Sequence, residues 1–174
     1  MNEAAPLADW PNNIYTRLRA ADVTQFLYVP DAGHKTLIEC SIADPQVSSV
    51  CLTTEEEGVA MLAGADLGGA RGVLLMQSSG VGNCINTLSL TSGAQFPFLT
   101  LISMRGEFGE GNPWQIPMGK AVQPVLEAMG VGCLRIDSSE DVDSTIDAAL
   151  TMVFKSGQAI AVLLGQKLIG AKEF

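Results

Sequence analysis

Thr53-Thr54-Glu55-Glu56-Glu57-Gly58-Val59-Ala60 decides how this chain is read, because it sets three carboxylates where a strand gives way to a helix. Hydroxyl residues followed by acids suit a helix N-terminus, where negative charge faces the positive end of the macrodipole. Three acids in a row exceed what capping needs. On a helix their side chains point about 100° apart, so one or two at most can face a shared pocket. About twenty residues downstream stands Met76-Gln77-Ser78-Ser79-Gly80-Val81-Gly82-Asn83, a small-residue turn after the next strand. Together the two stretches read as one wall of a ligand pocket.

Outward from these stretches, short β-rich runs alternate with helical patterns along the whole chain. The pattern predicts strands over Thr24 to Val29, Ser49 to Leu52, Gly72 to Gln77, Phe98 to Ser103, Gly132 to Ile136 and Ala159 to Leu164. It predicts helices over Asn12 to Ala21, His34 to Ile42, Glu56 to Leu67, Asn83 to Ala94, Met118 to Met129 and Glu140 to Lys155. The strands are near-continuous apolar runs, as expected when both faces of a sheet are covered. The fold class is therefore α/β: a single doubly wound, mainly parallel six-stranded sheet with helices on both faces, in one domain over residues 1–174. Such sheets bind ligands beyond the carboxyl ends of their strands. Those positions are Pro30 to Lys35, Thr53 to Glu57, Ser78 to Asn83 and Met104 to Pro117, and Arg105 to Pro117 is the one long irregular segment.

With 174 residues and 47% hydrophobic content, the chain can bury a core without covalent staples. Charged residues make up only 17%, which suits a subunit that covers part of itself with a partner. The net charge of −9 argues against nucleic-acid and anionic-membrane surfaces. Cys40, Cys51, Cys84 and Cys133 lack metal-ligand spacing and read as reduced core thiols of a cytoplasmic protein. Neither a signal peptide nor a membrane span is expected. Gly80 and Gly82 lack the third small residue of a dinucleotide fingerprint, since position 85 is Ile. There is no P-loop and no G-x-S-x-G elbow.

The triplet with Gly58-Val59-Ala60, the Met76 to Asn83 stretch, Arg105-Gly106-Glu107, Val29-Pro30-Asp31 and Pro117-Met118-Gly119-Lys120 occur in an informative order. The chain resembles the pyrimidine-binding (Pyr) domain of thiamine-diphosphate-dependent 2-oxo acid decarboxylases, over nearly its whole length. Sulfopyruvate decarboxylase alpha subunits and phosphonopyruvate decarboxylases are the most similar in spacing. The resemblance implies the thiamine-diphosphate-binding fold of Pyr type, and a glutamate, matched to Glu56, that hydrogen-bonds N1′ of the cofactor's aminopyrimidine. It places Ser78, Ser79, Gly80, Gly82 and Asn83 beside that ring, and Asp31, His34 and Lys35 toward substrate. Ala32 stands where relatives commonly carry a hydroxyl or an acid. Arg105 and Lys120 are the candidate cations for a sulfonate or phosphonate, which require charged donors.

In the same family Mg²⁺ and the diphosphate are held by a second domain carrying Gly-Asp-Gly, and that motif does not occur here. The resemblance thus implies a beta subunit with the diphosphate-binding (PP) domain, the cofactor between two chains, and a hetero-oligomer with at least two copies of each. The expected activity is decarboxylation of 3-sulfopyruvate to the aldehyde and CO₂. The alternatives are a phosphonopyruvate decarboxylase subunit and a non-catalytic Pyr-like scaffold.

Overall fold

A computed structural model describes residues 9–171. The apolar runs form β1 (Val23–Tyr28), β2 (Ser48–Cys51), β3 (Arg71–Gln77), β4 (Phe98–Ser103), β5 (Gly132–Ile136) and β6 (Ala159–Leu164). All neighbouring pairs are parallel, in the order β2-β1-β3-β4-β6-β5. Parallel pairing needs a crossover between strands, and helices supply it. They are α1 (Trp10–Ala20), α2 (Lys35–Ala43), α3 (Glu55–Leu67), α4 (Ser78–Cys84), α5 (Ser89–Ala94), α6 (Ile116–Ala128), α7 (Val142–Phe154) and α8 (Gln166–Ile169).

Two apolar layers sandwich the sheet. On one face Ile14 and Leu18 of α1, Leu37 of α2 and Val142, Ile146 and Val153 of α7 pack with Phe26, Val73, Leu99 and Val162. On the other, Val59 and Leu62 of α3, Val81 and Cys84 of α4 and Val122 and Leu126 of α6 pack with Leu27, Leu74, Phe98 and Ala161. Because β1, β3, β4 and β6 are covered on both sides, their sequences show no polar alternation. Among the described residues no helix is long and apolar enough to cross a membrane.

Strand bounds agree with the sequence reading to within a residue and five of the six predicted helices to within two, but the sixth helix does not. The predicted helix over Asn83 to Ala94 is two helices, and the expected turn at Ser78 to Asn83 is itself helical. Gln77 ends β3 and serves as the N-cap residue of α4, so the chain turns from strand to helix with no connecting residue. Between α4 and α5 the bonds tighten from the Leu88 N–H to Cys84 C=O spacing to Ser89–Asn86, Leu90–Thr87 and Thr91–Leu88. That change to three-residue spacing breaks the helix axis. The segment from Arg105 to Pro117 is also more ordered than its composition suggests, with a 3₁₀ turn over Pro113–Gln115 leading directly into α6.

Gly119 lets α6 cross this segment at backbone contact: a methyl group there would overlap the Arg105 carbonyl and lie 3.0 Å from Gly106 Cα. Alanine is the better helix former by about 0.8–1 kcal/mol. Overpacking against unyielding backbone costs about 1–3 kcal/mol. Gly119→Ala is therefore expected to lower the melting temperature; a melting temperature at or above that of the parent would show that the crossing yields.

Candidate active site

The three acids of the triplet meet three different fates. Glu57 turns back to accept the Thr53 amide at 2.9 Å and so serves the helix start. Glu56 is exposed. Glu55, the first helical residue, is 7% exposed and reaches across to α4. Its Oε2 accepts from Asn83 Nδ2 at 2.8 Å, and its side chain lies directly over Gly80. The buried carboxylate of the triplet is thus Glu55 and not Glu56, because the turn of α3 that aims position 55 at α4 aims position 56 at solvent.

The rest of the Ser78 to Asn83 segment divides as helical geometry requires. Ser78 is fully buried, and its hydroxyl accepts the Arg105 amide at 3.1 Å. Ser79 is exposed and donates to Gln77 Oε1 at 2.9 Å. Gly82 is exposed beside Met118 Sδ. Gly80 and Asn83, three residues apart, share the face that meets Glu55. Next to them Cys84 is buried, and burial, with Glu55 and Glu56 adding to it, pushes its thiol up to about 12. That thiol stays protonated at neutral pH and is no nucleophile.

The strand order reverses direction between β1 and β3, the position where open α/β sheets form a crevice. Asp31, just after β1, accepts there from Gln77 Nε2 at 2.9 Å, Ser103 Oγ at 2.6 Å and the Gly33 amide at 3.0 Å. Gln77 and Ser103 are register partners at the ends of β3 and β4. Asp31, Gly33, Ser103 and Arg105 line a hollow of about 180 Å³. The hydrogen-bond chain Ser103–Asp31–Gln77–Ser79 runs from this hollow to the start of α4, and so toward Glu55.

Arg105 does not present an open guanidinium to this hollow. Its Nε and Nη2 bind Glu110 at 2.8 and 2.7 Å. Glu110, with a side chain only 1% exposed, also accepts from the amides of Gly106 and Asn112 and from Gln166 Nε2. Arg105 and these donors hold the Glu110 carboxyl at about 2. The remaining expected substrate residues lie elsewhere. His34 is buried beneath the crevice, its Nε2–H donating to the Met76 carbonyl at 3.1 Å, and burial lowers its pKa so that it is neutral. Lys35 is exposed and faces Glu39 at 3.8 Å. Lys120 is exposed in a separate hollow with Glu107, Gln123 and Arg135. The sequence reading missed Gln77, Ser103, Glu110 and Gln166. Only Glu110 carried a signal, lying between Gly109 and Gly111 in a loop otherwise rich in turn residues.

A larger hollow of about 470 Å³ at the opposite sheet edge is lined by Arg17, Arg71, Phe154 and Lys155. Its two arginines serve the fold: Arg71 donates to the Ala21 carbonyl at the end of α1 and lies over the Phe154 ring, and Arg17 pairs with Asp143 and Asp147.

A doubly wound α/β chain with a buried acid at the carboxyl edge of its sheet is the class that fold and site define. No protein-family model matches the chain. It is 33% identical over 151 residues to the sulfopyruvate decarboxylase subunit alpha of Methanocaldococcus jannaschii, covering 86% of this chain and 89% of that protein. It is also 33% identical over 152 residues to the Methanothermobacter thermautotrophicus subunit, covering 87% and 92%. A phosphonopyruvate decarboxylase of Streptomyces viridochromogenes is 34% identical over 134 residues, covering 76% of this chain and 34% of that one. The fold is like that of the 2-oxoglutarate:ferredoxin oxidoreductase from Magnetococcus marinus, with a TM-score of 0.72 and 14% identity over 92% of this chain and 29% of that one. The chain belongs to the sulfopyruvate decarboxylase alpha subunit family.

Glu110→Gln is expected to destabilise the chain by about 1–3 kcal/mol, because Arg105 and two amides lose a charged acceptor. The carboxyl's folded-state pKa lies below its ordinary 4.5, so this contribution is complete above about pH 4.5 and fades as pH falls toward 2. Urea unfolding at pH 7 and at pH 3 measures it: the gap between parent and variant should narrow at the lower pH. An equal gap at both would contradict the assignment.

Proposed function

We propose that the chain is the alpha subunit of a two-chain, thiamine-diphosphate-dependent decarboxylase that converts 3-sulfopyruvate to the aldehyde and CO₂. The observation that carries this reading is the Glu55 carboxylate, buried over Gly80 and held by Asn83 at the carboxyl edge of the sheet. These residues suit an aminopyrimidine: an acid to hydrogen-bond N1′, with a glycine and an amide beside it in place of bulky side chains. Thiamine diphosphate, when bound, supplies the electron sink for the bond that breaks as CO₂ leaves. Glu55 holds the proton at N1′, Gly80 makes room for that carboxylate, Gly82 allows close approach of the ring, and Asp31 with Ser103 orients polar groups of the substrate.

The substrate's terminal anion cannot be drawn in by this chain alone. Around the crevice Asp31 and Glu110 outweigh Arg105, and the chain as a whole carries −9. Further cations come from a partner in this reading, as do the groups that hold Mg²⁺ and the diphosphate. Two observations support a partner with a PP domain. The chain covers only 32% of the sulfopyruvate decarboxylase of Methanosarcina acetivorans, whose remaining length can hold the complementary half. From Gly72 to Met104 no residue is charged, although α4 and α5 lie at the surface, and Met61, Leu67, Ile85 and Leu90 are exposed on α3 and beside it. Charge depletion of this kind marks the core of a protein interface. A hetero-oligomer with at least two copies of each chain, in the cytoplasm, completes the reading; Cys40, Cys51, Cys84 and Cys133 are all unpaired.

Similarity to phosphonopyruvate decarboxylases favours a second substrate, and the test includes it. The complex with its partner, given thiamine diphosphate and Mg²⁺, is expected to release aldehyde fastest from sulfopyruvate, more slowly from phosphonopyruvate and least from pyruvate. Faster release from phosphonopyruvate would reassign the substrate, and release from none of them would point to a scaffold. In the same complex Glu55→Gln is expected to lower kcat by about 10²–10⁴, and Glu56→Gln by no more than a few-fold. The reverse ranking would return the acid to Glu56.

A further inference from the structure

Glu55 is the only member of the triplet whose carboxylate is buried, and its surroundings are unusually spare. Its Oε2 takes one hydrogen bond, from Asn83 Nδ2 at 2.8 Å. On its other side lies Gly80, where a methyl group would overlap Oε1 and lie 2.5 and 2.6 Å from Cδ and Cγ. Gly80 and Asn83 are one helical turn apart on α4, so a single rigid element presents both the gap and the clamp. The gap admits the carboxylate in one place, and the clamp selects one rotation within it. With Oε2 engaged by an amide that can only donate at that atom, Oε1 is the oxygen left to carry a proton or meet a donor.

We propose that Asn83 is a positioning residue that acts through Glu55: it fixes the plane of the carboxylate and decides which oxygen addresses the aminopyrimidine, and Gly80 is required as the space that carboxylate occupies. This inference rests on the assignment of Glu55 as the acid. Asn83 is itself exposed and sits at the end of a polar bond that neither core needs, so a purely structural role would leave catalysis and its pH dependence unmoved when the amide is changed.

The test uses the assembled complex with thiamine diphosphate, Mg²⁺ and sulfopyruvate. Asn83→Asp places a second carboxylate against the first, and like charges at this distance raise the pH at which one of them ionises. The variant is expected to lower kcat about 10–100-fold, on the scale found for the hydrogen-bond partners that orient metal-ligating side chains, with KM within twofold. The acid limb of the pH profile should move upward. Asn83→Ala should lower kcat similarly without moving that limb upward by charge repulsion. The double variant Glu55→Gln with Asn83→Ala should be no slower than Glu55→Gln alone, since both remove one device. Independently of turnover, cofactor affinity titrated by near-ultraviolet circular dichroism should acquire a changed pH dependence in Asn83→Asp and keep its parent value in Asn83→Ala at neutral pH within about threefold. Parent-like kcat and pH profile in both variants, or losses that multiply in the double variant, would overturn the positioning role while Glu55→Gln remains inactive. Full activity of Glu55→Gln would instead remove the acid assignment, and this inference with it. If Asn83→Asp does not assemble, Asn83→Ala and the double variant still decide the outcome.

Discussion

A carboxylate taken out of water between two helices is the constraint on which the rest of this edge of the molecule depends. Burying an ionised acid is costly unless donors replace its hydration. Here one side-chain amide does so directly, from Asn83. The position helps as well: Glu55 is the first residue of α3, where the macrodipole favours negative charge. The remaining requirement is space, met by the missing side chain at Gly80. The helical form of α4 serves this, because residues three apart on a helix share a face and so offer a gap and an amide to the same group. The abrupt passage from β3 into α4 then becomes intelligible, since any connecting residue would rotate Gly80 and Asn83 away from α3.

A second buried carboxylate organises the neighbouring edge by the opposite means. Glu110 is surrounded by donors, with Arg105, two amides and Gln166 converging on it. Glu55 is sparsely bonded and stays available; Glu110 is saturated and serves as an anchor. The contrast separates a group suited to chemistry from one suited to architecture, although both are acids at the same end of the sheet. It also defines what the Arg105 to Pro117 segment is. Tied at Glu110 to α8 and pressed by Gly106 and Gly119 onto α6, it is a built wall with Phe108 and Trp114 exposed on it.

The fold was legible in the sequence because strand burial on both faces leaves unbroken apolar runs, and Phe98–Ser103 and Ala159–Leu164 have no other reading. The candidate site was legible only to the resolution of a segment. Three consecutive glutamates have the same chemistry, and which one is buried depends on the azimuth of α3 relative to α4, a tertiary quantity that adjacent identical residues cannot encode. The turn over Ser78 to Asn83 looked like a loop because its small residues are poor helix formers, yet contact with α3 and α6 holds them helical. Arg105 looked like an open anion site because its partner, Glu110, is five residues away across a loop whose path no periodicity reveals. Lys120 was grouped with it by charge, and Lys35 was set toward substrate by its place after β1; neither signal says which hollow a lysine lines.

The electrostatics of the crevice bear on why such a chain works in company. An anionic substrate approaching this surface meets Asp31 and a guanidinium already neutralised by Glu110, within a protein of net charge −9. In the proposed assembly that attraction comes from the partner's side of the crevice, and it acts only once the partner is in place. The uncharged surface of α4 and α5 sits beside the Glu55 carboxylate, so in the proposed assembly a partner docked there would also remove water from around the acid. Excluding water strengthens each hydrogen bond made to that group. In the proposed assembly, docking of the partner and activation of the acid are the same physical event.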